Sequence, residues 1–292
     1  MFPFECYVIS LARTPHKLKA FIEQNAATGL SFGHFEAVDG ATLEWSECVS
    51  NGLIRQHARG YRTGSLGSAS SHRALWRRAV EARTPVLIFE DDVYCRHDIL
   101  VQLERVLGLL PNWDILLLGY NTDSVLEVGV TPSCSYGGFF SQRYPSPKDL
   151  EEFARESSEV GVLPLKNAFG LCAYVVSPEG AKNLLANVFP LDNRELIVPY
   201  VRFIHGGDRS QCRTLDMNVN TLYRHIAAYA VVPPLALAPN DKADWRTKNA
   251  PASGERQGHD RASAGAPGKG PSITRRILRK IRAGIGRIAR TV

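Results

Sequence analysis

The segment Val86-Leu87-Ile88-Phe89-Glu90-Asp91-Asp92 constrains the fold more than any other stretch of the chain. Its first four residues carry no polar side chain, as expected of a short central strand covered on both faces. Three consecutive carboxylates follow. They repel one another and cost stability unless something cationic offsets them. In an open α/β sheet, ligands gather at the carboxyl ends of the strands. Strand alternation sends Glu90 and Asp92 to one side and Asp91 to the other. Two hard oxygen ligands on one side suit Mg²⁺ or Mn²⁺, with a substrate diphosphate completing the shell. The bland alternative is an acidic loop after a strand, or a cap for the next helix.

Around this segment the first 120 residues alternate strand and helix signals. Tyr7–Leu11, Phe32–Val38, Pro85–Phe89 and Trp113–Leu118 read as strands. Arg13–Ala27 and Asp98–Leu110 read as helices, and Ser65 or Ser68 is placed to cap a third that runs to about Ala82. The rhythm predicts an α/β fold with a mostly parallel, Rossmann-type sheet flanked by helices. Cys172–Ser177 reads as a further strand and Pro178–Asn187 as a helix with proline in its first turn. Ala227–Val232 reads as a last strand, closed by Pro233-Pro234. Residues 196–212 give no clear pattern. The expected organisation is one domain over 1–248, a flexible linker over 249–272 and a helix over 273–292.

Charge sharpens that division. The formal net charge of +6 includes seven cations and no acid in residues 273–292, so residues 1–272 sum to 6 − 7 = −1. The basicity belongs to the tail, and no nucleic-acid partner is expected for the domain. Six scattered cysteines form no CxxC pair, so they predict buried free thiols rather than a zinc ribbon or a disulfide framework. No window approaches the roughly 18 apolar residues that read as a membrane span. The opening residues read as a strand and not as a secretory leader, so the expected location is the cytoplasm.

Several segments, in order, resemble glycosyltransferase family 25. Val8-Ile9-Ser10-Leu11-Ala12-Arg13 is similar to the family's opening V-I-N-L strand, with Ser10 where asparagine is usual. Phe35-Glu36-Ala37-Val38-Asp39-Gly40 is similar to F-x-A-V-D-G. Gly64 to His72, with Trp76, resembles G-E-I-G-C-x-x-S-H-x-x-x-W, with Ser65 and Ser68 where glutamate and cysteine are usual. Val86–Val93 resembles the strand that ends in E-D-D, and Trp113-Asp114-Ile115 to Gly119 the strand after it. Ala173-Tyr174-Val175-Val176-Ser177 with Gly180-Ala181 is similar to A-Y-V-I-S-x-x-G-A. The resemblance covers about residues 7–235. It implies a GT-A-like fold, a nucleotide-sugar donor such as UDP-galactose and inversion at the anomeric carbon. It implies a saccharide acceptor, lipopolysaccharide or lipooligosaccharide or another surface glycan.

On this reading Glu90 and Asp92 hold the metal. Ser10, Leu11, Arg13, Asp39, His72 and Asp91 line the donor site. An inverting transfer needs a carboxylate to take the acceptor hydroxyl's proton. Asp216 is the chosen base, with Asp208 and Asp192 as the other candidates in the second half. His72 shares a helix face with Leu75, Trp76 and Ala79, so it reads either as a core histidine or as a partner of the donor phosphate. His225 reads as a surface histidine or a third metal ligand.

Ile273, Ile277, Ile281, Ile285 and Ile288 form a stripe among the arginines of the tail. That is the pattern of a basic amphipathic helix lying on an anionic membrane, here the inner face of the inner membrane beside a lipid-linked acceptor. Two rival functions share these features. One is a metal-dependent phosphoesterase using the same acids. The other is a catalytically silent binding module held on a membrane by its tail.

Overall fold

The computed structural model describes residues 4–141, 144–198 and 208–239. The linker and tail expected over 249–272 and 273–292 lie outside the described residues. Strand β1 (Glu5–Ser10) leads through helix α1 (Pro15–Gln24) to β2 (Gly33–Glu36). A short α2 (Trp45–Ser50) and the long α3 (Thr63–Ala82) precede β3 (Val86–Glu90). After a two-residue β4 (Tyr94–Cys95) come α4 (Ile99–Gly108) and β5 (Ile115–Gly119). A hairpin, β6 (Val125–Thr131) and β7 (Cys134–Phe139), is followed by α5 (Pro147–Ala154), β8 (Gly161–Asn167), β9 (Ala173–Val176) and α6 (Pro178–Val188). The chain then forms β10 (Glu195–Val198), β11 (Asp208–Gln211), α7 (Leu215–Asn220), β12 (Ala228–Val232) and β13 (Ala236–Leu237).

Among the described residues, nine strands make one sheet in the order β2-β1-β3-β9-β5-β12-β8-β6-β7. Parallel pairing links β1 with β2 and β3, and β5 with β12. β9 runs antiparallel between β3 and β5, and β8 and β7 oppose their neighbours. Six of the nine strands therefore share one direction, as the βαβ rhythm predicts. β9 matters for the site because its N-terminal end lies beside the C-terminal ends of β3 and β5.

The apolar run of β3 is buried on both faces, as expected. Val86 and Ile88 enter the core formed with α3, α6 and α7, while Leu87 and Phe89 enter the core formed with α1 and α4. All four are fully buried. At about 1.5–3 kcal/mol for each such side chain, this strand is a main anchor of the acids that follow it.

Helix α3 corrects an expectation. It begins at Thr63, with Arg62 at the cap position and no capping side chain, so neither Ser65 nor Ser68 caps it. The chain after β2 packs against its first turns instead. The Val38 N–H donates to Ser71 Oγ at 2.9 Å, and Ser71 Oγ donates to the Gly67 carbonyl at 2.9 Å. A Cβ on Gly67 would stand 2.5 Å from the Val38 carbonyl oxygen, so only glycine permits this approach. The six cysteines are free thiols; Cys48, Cys95, Cys172 and Cys212 are buried, and Cys134 is exposed. Among the described residues no helix is long and apolar enough to cross a membrane.

Candidate active site

The C-terminal ends of β1, β2, β3 and β5 meet the N-terminal end of β9 at one edge of the sheet. Sequence expectation places the ligands at this edge, and most of the expected residues are there. Ser10 is the last residue of β1 and is buried; its Oγ donates to Asp91 Oδ2 at 2.7 Å. Its carbonyl accepts the Ala37 N–H at 2.9 Å, which ties β1 to the segment after β2. Three residues on, Arg13 Nε meets Asp39 Oδ2 at 2.6 Å. Arg13 is 54% exposed and Asp39 26%, so water screens this pair, and it positions more than it stabilises. Asp39 Oδ1 also accepts the Ala41 N–H at 3.0 Å, capping the short helical turn Gly40–Thr42.

Leu11, Ala12, Arg13, Glu36, Ala37, Val38, Asp39 and Thr42 line an open cleft of about 470 Å³. The size suits a nucleoside, and the wall offers both apolar atoms and a cation. Leu11, Arg13 and Asp39 thus line one cleft. Ser10 and Asp91 hold each other just behind them.

Strand alternation does not carry through the three acids. β3 ends at Glu90, and Asp91 and Asp92 turn away from it. Asp91 is nevertheless the one bound to Ser10, while Glu90 and Asp92 share a different neighbour. Both of their charges act on the Cys172 thiol, which burial pushes well above the ordinary thiol range and which they push further. Cys172 is therefore an inert thiol, and its carbonyl accepts the Glu90 N–H at 2.8 Å. Glu90 and Asp92 offer hard carboxylate oxygens of the kind that Mg²⁺ and Mn²⁺ accept, so their chemistry fits a divalent cation. Among the described residues no group of three or more His, Cys, Asp or Glu stands together to bind a metal alone.

His72 stands behind this edge. It is 1% exposed and does not line the cleft; its Nε2 is 3.7 Å from Glu90 Oε1. Its Nδ1 is 2.8 Å from the Tyr174 hydroxyl, which also accepts from Trp76 Nε1 at 2.8 Å. Tyr174 sits in β9 and is not among the site residues expected from the sequence. The signal was present: a tyrosine in a wholly buried strand needs a partner for its hydroxyl.

Asp216 lies in the first turn of α7. Its Oδ2 accepts the Gly170 N–H at 2.9 Å and its Oδ1 accepts from the Thr214 hydroxyl. Gly170 has φ +84° and belongs to the loop that enters β9 two residues before Cys172. Through that loop Asp216 is joined to the edge where Glu90 sits. Asp192 is placed otherwise: His57 Nε2 is 3.1 Å from its Oδ1, and the same oxygen caps the Asn193 N–H at 2.8 Å. Asp208 opens β11, and His225 is exposed.

Such an edge, with an open cleft beside strand-end carboxylates, is the place where open α/β sheets gather their ligands. The chain belongs to glycosyltransferase family 25, described as LPS biosynthesis proteins; the family's model matches residues 4–195. A probable inactive glycosyltransferase 25 family member 3 of Rattus norvegicus is 31% identical over 150 residues, 46% of this chain and 26% of that protein. The inactive glycosyltransferase 25 family member 3 of Mus musculus is 29% identical over 150 residues, 46% of this chain and 25% of that protein. The chain thus spans about a quarter of the length of the curated relatives it matches. Among solved structures, A197 from STIV aligns with TM-score 0.34 and 11% identity over 78% of this chain and 81% of that one. Mannose-1-phosphate geranyltransferase from Thermus thermophilus aligns with TM-score 0.35 and 11% identity, over 82% and 74%.

Proposed function

We propose that the chain is an inverting hexosyltransferase that moves a sugar, galactose in the first instance, from a UDP-linked donor to a saccharide hydroxyl of lipopolysaccharide, lipooligosaccharide or another surface glycan. The observation that carries this reading is the carboxylate group Glu90-Asp91-Asp92 at a strand end next to the cleft of Leu11, Arg13 and Asp39. In this reading the cleft takes the nucleoside, Arg13 faces its phosphates, and Ser10 holds Asp91 in place. Glu90 and Asp92 would hold a divalent cation, which when bound neutralises the charge of the departing diphosphate. Asp216 takes the proton of the acceptor hydroxyl as its oxygen attacks the anomeric carbon from the face opposite the diphosphate. The sugar–phosphate bond breaks, and the configuration inverts.

The names of the two relatives favour one second reading. Both are called inactive, so a silent member that binds a donor without turning it over is the alternative. A screen of UDP-sugars with Mn²⁺, with and without saccharide acceptors, separates the two. Metal-dependent turnover that chelator removes, and that Glu90→Ala and Asp92→Ala each abolish while the proteins stay folded, is the expected result. Donor binding with no turnover of any sugar would support the silent module. Full activity in chelator would sink the metal reading.

A further inference from the structure

Behind the acids lies a buried hydrogen-bonded chain that the reaction itself does not use. Trp76 and Tyr174 are fully buried and His72 is 1% exposed. An indole nitrogen can only donate, so Tyr174 Oη accepts from Trp76 Nε1 at 2.8 Å. The hydroxyl keeps one proton, and His72 Nδ1, 2.8 Å away, is there to take it. That arrangement makes Nδ1 an acceptor and puts the proton of the neutral ring on Nε2. Nε2 is the atom that faces Glu90 Oε1, at 3.7 Å. The separation is too long for a hydrogen bond, and a movement of about 0.5–1 Å would close it. The His72 and Tyr174 rings lie 5.7 Å apart at 29°, which limits how the imidazole can turn.

We propose that Trp76, Tyr174 and His72 form a positioning relay for Glu90. The relay fixes the imidazole in the Nε2–H form, and that proton orients the carboxylate toward the ligand at the strand end. The inference rests on the reading of Glu90 as a metal ligand. Partners that orient a ligand from behind commonly matter by about 10- to 100-fold in metal affinity. Each member is explained by the one before it. Tyrosine at 174 is needed because its hydroxyl can accept from tryptophan and donate to histidine at once. Phenylalanine there would leave the Trp76 N–H buried without a partner and release the imidazole to either tautomer.

The test is Mn²⁺ binding to the full-length protein, with and without UDP, by titration calorimetry and by the electron paramagnetic resonance of the free ion. Melting temperatures are measured alongside. His72→Leu and Tyr174→Phe should each weaken Mn²⁺ binding by about 10- to 100-fold. His72→Gln, whose amide nitrogen can take the place of Nε2, should restore most of it. Should His72→Leu fail to fold, Tyr174→Phe and His72→Gln still decide the matter. If both relay variants bind Mn²⁺ as the wild type does and only melt earlier, these residues merely fill the core, and the relay is wrong. If the wild type binds no Mn²⁺ in either condition, the metal reading of Glu90 and Asp92 falls, and the relay falls with it.

Discussion

Asp216 receives two hydrogen bonds from its own chain, from Gly170 and from Thr214, and a carboxylate so held still has lone pairs for an incoming hydroxyl. Asparagine at this position keeps an oxygen for the Gly170 N–H but cannot take a proton. Asp216→Asn should therefore fold normally, bind donor and lose about 10²–10⁴-fold in transfer. Normal transfer by this variant would move the base elsewhere, with Asp208 next in line. A second residue-scale expectation concerns Asp98. Burial raises its pKa, but hydrogen bonds from Arg96 and Gln102 outweigh burial and hold it below its ordinary 3.8. Arg96 is fully buried and meets both Asp98 oxygens, at 2.9 and 2.7 Å. A depressed carboxylate stabilises the fold above its unfolded pKa, and that contribution disappears as pH falls through the folded value. Asp98→Asn should then be less stable at neutral pH by up to about 3 kcal/mol, the low end for stranding a buried charge. The gap to wild type should narrow only below about pH 4. Parallel acid denaturation curves for the two proteins would contradict this.

The N-terminal half of α3 tests how the cleft is built. Gly67 is buried against backbone, with an added Cβ 2.5 Å from the Val38 carbonyl oxygen and 2.6 Å from the Gly40 nitrogen. In a free helix alanine would gain up to about 1 kcal/mol over glycine. Here the added methyl must push the 38–40 segment away, at a cost of about 1–3 kcal/mol. Gly67→Ala should melt earlier and bind UDP more weakly, because Asp39 moves with that segment. A more stable Gly67→Ala protein would mean the segment yields freely. The sequence made the strands of this half readable, since β1, β3 and β5 are apolar runs with turn signals beside them. It left much of the second half unread. β6, β7 and β8 mix polar and apolar residues because they lie toward one side of the sheet, and β10 and β11 are neighbours in sequence within a stretch that shows no strand alternation. The acids were legible because three carboxylates after an apolar strand are costly. The relay behind them was not, since His72 reads as a core histidine or a phosphate partner and Trp76 as core, and they meet Tyr174 only where α3 packs on the sheet that pairs β9 with β3.

At the scale of the whole chain, charge is divided: residues 1–272 sum to −1, and residues 273–292 carry seven cations and no acid. The tail lies outside the described residues, so its role rests on its sequence. Each Lys or Arg near an anionic surface contributes about 1 kcal/mol at most, and burial of the isoleucine stripe adds an apolar contribution. Either alone gives weak, reversible attachment; together they should hold the protein on an anionic bilayer. Residues 249–272, rich in Ala, Gly, Pro and Ser, have the composition of a spacer that would let the N-terminal domain range over that surface toward a lipid-linked acceptor, on the proposed function. Truncation after Ser272 should release the protein from vesicles containing anionic lipid. It should leave turnover of a soluble acceptor unchanged and lower transfer to an acceptor embedded in the bilayer. Added salt should weaken attachment of the intact chain, since screening removes the charge contribution and leaves the apolar one. Equal vesicle binding by the truncated and intact chains would place the membrane contact in the domain and overturn this account of the tail.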